Sequence, residues 1–176
     1  CPGDHCQVHA GSGGITGSVG KTSTREALAA VLSASRSVRA SRGNFNGEIG
    51  LPLTVIGDWD ERHTRLISRE NYERKDRLRK ALFFLAAIAR AVRGLLIRTR
   101  YPELLVLEYG ADRPGDIRYL LDIARPHIGV ITGIGDIPAH VEFYSGPEAV
   151  AREKGRLIEQ LQSTGFAVLN ADDAAA

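Results

Sequence analysis

The chain of 176 residues has no methionine, one tryptophan and two cysteines. The cysteines are Cys1 and Cys6, both at the extreme N-terminus, so a disulfide framework holding the fold together is excluded. With His5 and His9 they could act as metal ligands, but their spacing fits no common zinc pattern. A long apolar run is also missing. The longest is "ALFFLAAIA", Ala81 to Ala89, which Arg90 and Arg93 interrupt, whereas a membrane span needs about twenty apolar residues. No apolar segment follows a basic start, so no signal peptide is visible and the expected location is the cytoplasm. The net charge is only +2, too small to point to a nucleic-acid partner. The lack of methionine even at position 1, and the stop at "NADDAAA" just after an apparent core strand, lead us to expect a fragment of a longer protein.

What is present is an ordinary globular composition, 43% hydrophobic and 25% charged. That suits one domain with a sizeable core. Residues 1–13 show no usable period and match a fold poorly. Helical spacing runs from Ser23 to Ser33, a short strand is expected at 38–41, and "RGNFNGEIGLP" reads as a loop. Residues 62–98 read as one or two helices. "ELLVLEYG", "HIGVITGIG" and "GFAVLNA" are short apolar runs that suit strands buried on both faces. Between them lie helices over "RPGDIRYLLDIARP", with Pro114 near its start, and "GPEAVAREKGRLIEQLQ", with Pro147 in its first turn. Strands alternating with helices imply a three-layer α/β domain with a mostly parallel sheet, incomplete at its C-terminal end. In such sheets ligands sit at the carboxyl ends of the strands.

The segment "GITGSVGKTSTRE", residues 14–26, carries the chemistry. A glycine-rich turn before a helix presents backbone N–H groups, and the helix N-terminus adds partial positive charge, making an anion cradle. Gly17 and Gly20 allow close approach to phosphate oxygens. Lys21 supplies a mobile positive charge for the β and γ phosphates, and the Thr22 hydroxyl is placed for Mg²⁺. Thr24, in the first helical turn, is a further candidate contact. The expected nucleotide-binding set is Gly17, Ser18, Val19, Gly20, Lys21, Thr22 and Ser23. The general P-loop pattern requires glycine where Ile15 stands, so this is a variant of the form Thr-Gly-x-x-Gly-Lys-Thr. No Asn-Lys-x-Asp motif for reading guanine is present, and the strand "LLVLE" ends in Glu108 rather than Asp.

Five stretches in order, "GITGSVGKTST", "GNFNGEIGLP", "LEYGADRPGDI", "AHVEFYSGPEAVAREKG" and "AVLNADD", resemble the ATP-binding central domain of the Mur ligases. The resemblance runs from Gly14 to Asp173, with a basic helical insertion at about 58–100 and a tail at 174–176. "GNFNGEIG" and "GADRPGDI" are most similar to the branch that adds D-alanyl-D-alanine. The resemblance implies a ligase of peptidoglycan precursor synthesis. ATP phosphorylates a carboxylate of a UDP-linked muramoyl peptide to an acyl phosphate, and the amine of D-alanyl-D-alanine attacks it. It also implies roles. Lys21 would bind the β and γ phosphates, and Thr22 and Glu108 would hold Mg²⁺. His140 would serve a second metal, with Lys154 in carbamylated form as an extra carboxylate. Asn44 and Asn46 would lie near substrate and phosphates, and Asn170 and Asp172 would close the nucleotide side. The sequence departs from the family at Gly47 and at Thr132 and Gly133, where asparagines are usual. The resemblance further implies that the family's two flanking domains are missing and that this chain alone is inactive as a ligase.

Each role has a plainer alternative: a strand-end Glu108, a solvated His140, an exposed Lys154 paired with Glu153 or Glu159, ordinary turn asparagines, and Asp172 and Asp173 solvating a chain end. Two other functions also fit, a related ligase acting on another acid, such as a folate or a polymeric amino acid, and a nucleotide-binding module without ligase chemistry. Residues 61–100 carry twelve Lys or Arg and four Asp or Glu. Arg79, Arg90 and Arg93 share one narrow helical face, and the other faces are apolar. Such a helix reads first as a buried packing helix. Its second reading, over 79–98, is an interfacial helix resting weakly on a membrane surface.

Overall fold

The computed structural model describes residues 10–67, 77–97, 100–136 and 138–176. The Cys1, His5, Cys6 and His9 reading lies outside the described residues. Five strands form one parallel sheet in the order β2-β3-β1-β4-β5: β1 (Gly11–Thr16), β2 (Val38–Ala40), β3 (Leu104–Glu108), β4 (Ile128–Ile131) and β5 (Phe166–Leu169). Their connections carry α1 (Lys21–Ser33), α2 (Gly50–Ile56), α3 (Glu61–Ile67), α4 (Arg77–Leu96), α5 (Asp116–Ile123) and α6 (Pro147–Glu159). The helices α3 and α4 occupy the basic stretch between α2 and β3.

The central strand is β1, and it begins at Gly11, inside the segment whose composition signals no strand. Its sequence, GSGGIT, is glycine-rich for a packing reason. A Cβ on Gly14 would lie 2.8 Å from both the Tyr109 ring and Pro126. The apolar cover of β1 is therefore supplied by its neighbours. Tyr109 is fully buried and donates its hydroxyl to the Ala124 carbonyl at 2.5 Å, fixing the end of β3 against the end of α5.

The core packs Leu105, Leu107 and Tyr109 of the β3 segment against Ile117, Leu120 and Leu121 of α5 and Leu157 of α6. A second cluster gathers Phe45, Leu53, Trp59, Phe83 and Ala87, joining α2 to α4. Three expectations change. β5 forms where expected but is an edge strand, with Phe166, Val168 and Leu169 half-exposed or more, so it is not a core strand. α4 buries only Phe83 and Ala87 and leaves a broad apolar face in solvent, so it is not the buried packing helix that its composition favoured. "GNFNGEIGLP" is also not wholly loop, because α2 starts at Gly50.

Candidate functional site

β1 ends at Thr16, and the chain turns through Gly17–Gly20 into α1. Gly17 has φ +148°, and a Cβ there would lie 2.2 Å from Thr132 Oγ1. Gly20 has φ +87° at the entrance to α1. Only glycine meets both demands, a left-handed backbone and close contact with the β4 loop. That loop braces the turn. Thr132 donates its hydroxyl to the Val19 carbonyl at 2.6 Å, and the amides of Ser18 and Val19 donate to the Gly133 carbonyl at 2.6 and 3.2 Å. Thr132 and Gly133 are thus the struts of the turn. The cradle expected from the whole turn is correspondingly narrower. Two of its amides face Gly133, and anion-binding capacity rests on the first-turn N–H groups of α1, which a helix cannot pair internally.

Lys21 curls back over this turn, donating to the carbonyls of Gly17 (2.7 Å) and Ser18 (3.3 Å). Burial lowers its pKa, and Glu108 and Asp112 partly oppose the shift. One residue on, Thr22 donates its hydroxyl to Glu108 Oε2 at 3.3 Å. Glu108, the last residue of β3, is buried. Its Oε2 also accepts from Arg25 Nη1 at 3.0 Å, and its Oε1 accepts from Asn46 Nδ2 at 3.0 Å. Arg25 is itself buried and donates to the Gly43 carbonyl at 2.9 Å. One carboxylate therefore joins α1, β3 and the asparagine-rich loop.

The oxygens of Thr22 and Glu108 suit a hard divalent cation. Two adjacent ligands of an octahedral Mg²⁺, each at about 2.0–2.1 Å, stand about 2.9 Å apart, close to the 3.3 Å found here. Among the described residues no group of three or more His, Cys, Asp or Glu could hold a metal.

On the other side of Asn46 lies an open cavity of about 430 Å³, lined by Asn44, Asn46, Asp112, Arg113 and His140 among others. Asn44 and Asn46 therefore both face it. His140 adopts φ +65° before a short 3-10 turn, Val141–Phe143, and its Nε2 stands 3.5 Å from Asp112 Oδ1. Lys154, on α6, is only 2% exposed. Burial, with a smaller contribution from the Lys21 charge, lowers its pKa to about 8 against the opposing charges of Asp112 and Glu153. The reading of an exposed lysine paired with a helix neighbour therefore does not hold. Glu153 has another task, accepting from the amides of Gly115 and Ile117 at the start of α5.

Asn170 follows β5, is exposed, and accepts from the Asp172 amide through Oδ1. Its side chain faces Gly133, the brace of the glycine turn. Asp173 accepts from the amides of Ile134 and Gly135, bonds that lower its pKa. Asp172 forms no comparable link among the bonds the structure shows. The structure thus gathers Lys21, Thr22, Glu108 and Asn46 tightly, places His140 on the cavity beyond Asn46, buries Lys154 on α6, and sets Asn170 at the β4–β5 edge. Sequence reasoning missed Arg25 and Asp112. Arg25 sits in "STREAL", which resembles any solvated helix start. Asp112 was within a quoted motif but carried no separate signal.

A parallel sheet with a glycine-rich strand-to-helix turn, a Lys-Thr pair at the helix start and an acidic strand end defines a P-loop nucleotide-binding domain. The chain belongs to the Mur ligase family: the model of the Mur ligase middle domain matches residues 15–93 and 94–176. It is 35% identical over 162 residues to the UDP-N-acetylmuramoyl-tripeptide--D-alanyl-D-alanine ligase of Mycobacterium leprae, covering 92% of this chain and 23% of that protein. The enzyme of the same name from Escherichia coli is 28% identical over 167 residues, 95% of this chain and 28% of its own length. The crystal structure of MurF ligase from Thermotoga maritima in complex with ADP superposes with TM-score 0.65 at 31% identity, covering 93% of this chain and 29% of that one. The chain thus spans about a quarter of the length of these relatives.

Proposed function

We propose that the protein containing this chain is an ATP-dependent ligase of peptidoglycan precursor synthesis. It joins D-alanyl-D-alanine to a UDP-N-acetylmuramoyl peptide through an acyl phosphate, and this chain supplies the ATP- and Mg²⁺-holding part. The observation that carries the reading is the Thr22–Glu108 oxygen pair beside Lys21, with a cavity beginning at the Asn46 that clamps the same carboxylate. That arrangement sets a phosphate cradle and an acid-substrate cavity on opposite sides of one buried carboxylate.

Lys21 offsets phosphate charge and, once released from the Gly17 and Ser18 carbonyls, reaches toward the β and γ phosphates. Thr22 and Glu108 hold Mg²⁺, which when bound neutralises phosphate charge during transfer. Arg25 and Asn46 fix the Glu108 carboxylate from either side. Asn44 orients the acid substrate in the cavity, and Asn170 closes the nucleotide side. His140 is held toward the cavity by Asp112. Lys154 loses its proton more readily than an ordinary lysine, and the neutral amine is the form that adds CO₂, giving a carbamate and a proton. The carbamate would be a second carboxylate that, with His140, could serve a further metal. Little covalent chemistry is asked of these side chains, whose work is positioning and charge neutralisation.

The test is phosphate release by the intact protein. It should require ATP, Mg²⁺, the UDP-linked muramoyl peptide and D-alanyl-D-alanine together. Release driven instead by a folate or a polymeric amino acid would assign a related ligase. Nucleotide binding with no release under any of these conditions would leave only a binding module.

A further inference from the structure

α4 has no role in the site just described, yet it holds the most conspicuous exposed surface of the chain. It is anchored along one side. Phe83 meets Trp59 edge-on at 4.8 Å between ring centroids, Ala87 is buried beside them, and Arg90 lies 5.7 Å over the Trp59 ring. The opposite side carries Leu78, Leu82, Leu85, Ile88, Val92 and Leu96, and all six are exposed. At 100° per residue they occupy an arc of about 120°, broader than the narrow seam of a two-stranded coiled coil.

The borders of this arc are cationic. Arg93 and Arg79 follow on one edge and Arg77 on the other, and no acidic residue occurs from 77 to 102. A second copy of the helix would bring Arg77 and Arg93 against these edges, and α4 itself, Arg77–Leu96, has no carboxylate to meet them. An anionic surface complements both the apolar arc and its borders. Among the described residues no helix is long and apolar enough to cross a membrane, so a helix of this kind lies on the surface rather than through it.

We propose that α4 docks the protein on an anionic lipid surface. The Leu78–Leu96 arc enters the headgroup–acyl boundary, Arg77 and Arg93 reach up to lipid phosphates, and the Phe83–Trp59 contact holds the domain above. The stems of the arginines lie along the apolar boundary while their heads stay with phosphate. This inference is independent of the ligase reading.

Co-sedimentation of the intact protein with phosphatidylcholine vesicles, with and without phosphatidylglycerol, tests it. Binding should need phosphatidylglycerol and weaken as salt rises. The double variant L85S/I88S should lose at least about tenfold in vesicle affinity, because each buried aliphatic side chain contributes more than a factor of ten. R93E should lose affinity for phosphatidylglycerol vesicles as well. Leu85 and Ile88 lie outside the nucleotide site, so nucleotide affinity in L85S/I88S, measured on the same samples, should not change. No binding to either vesicle overturns the proposal and means that another part of the intact protein covers the face. Equal, salt-insensitive binding to both vesicles overturns it too. So does a concentration-dependent dimer that L85S/I88S abolishes, which would assign the face to a second copy.

Discussion

Replacing Lys154 by methionine should stabilise the fold while disabling the site. Lys154 is 2% exposed, and its pKa falls from 10.5 to about 8, mainly through burial. A lowered lysine pKa means that the folded state binds its proton less well than the unfolded chain does. At pH 7 that difference costs about 3 kcal/mol of stability. Between pH 8 and 10.5 the unfolded chain holds more protons than the folded one, so stability rises with pH across that window. By pH 9 the cost has shrunk to about 2 kcal/mol. Methionine is of similar length and carries no charge to desolvate. K154M should therefore be about 3 kcal/mol more stable at pH 7, with the gap narrowing by about 1 kcal/mol at pH 9. The assay is urea unfolding of both proteins at several pH values in buffers free of CO₂, so that the lysine remains an amine. An equal m-value for the two proteins would show that the same surface is exposed. A less stable K154M at pH 7, or a gap that stays constant to pH 9, would refute the reasoning. The activity arm is separate: K154M should lose phosphate release, and bicarbonate should raise activity only in the wild type.

Lys21→Ala should weaken MgATP binding by about 30- to 100-fold, the contribution of a charge-assisted contact of about 2–3 kcal/mol, as read by calorimetry. Arg25→Met should destabilise the protein by about 3–5 kcal/mol, because Glu108 remains buried without its ion pair. The double variant R25M/E108Q should recover much of that loss in urea unfolding, and additive losses would show that the pair is not coupled. Gly17→Ala should cost about 1–3 kcal/mol through its positive φ and its approach to Thr132. Adding Thr132→Ala should restore only part of this, since it removes the clash but not the backbone strain.

Much of the fold could be read from the sequence because its signals are local. β3 and β4 are short apolar runs between helices, and α6 begins with Pro147 in its first turn. The glycine turn carries its chemistry in consecutive residues, so Lys21 and Thr22 were identified without tertiary information. β1 was hidden for the opposite reason. Gly14 is small because Tyr109 and Pro126, far away in sequence, fill the space beside it, and Gly11 meets Leu104 in the same way. α2 was hidden in part by its own glycine and proline, although Pro52 near the start of a helix is a usable signal. The exposed side of α4 follows from what packs on its other face, and composition alone could not show which face that would be.

The motifs that most clearly mark the family are largely scaffold, and this changes how they should be tested. In "GADRPGDI", Asp116 Oδ2 accepts from the amides of Asp112 and Arg113. Gly115 turns with φ +95°, and its amide is held by Glu153. The motif thus forms a knot of backbone bonds whose product is the placement of one side chain, Asp112, opposite His140 and near Lys21 and Lys154. Glu153 and Lys154 are adjacent on α6 and both buried, so the same turn of helix that ties that knot also carries the buried lysine. Substitution of Asp116 should therefore act through Asp112. D116N keeps the size of the side chain but weakens an acceptor for two amides, and should lower activity together with stability. D112N leaves the knot intact and should lower activity with little change in unfolding. Equal losses of stability in both variants would mean that Asp112 belongs to the scaffold as well.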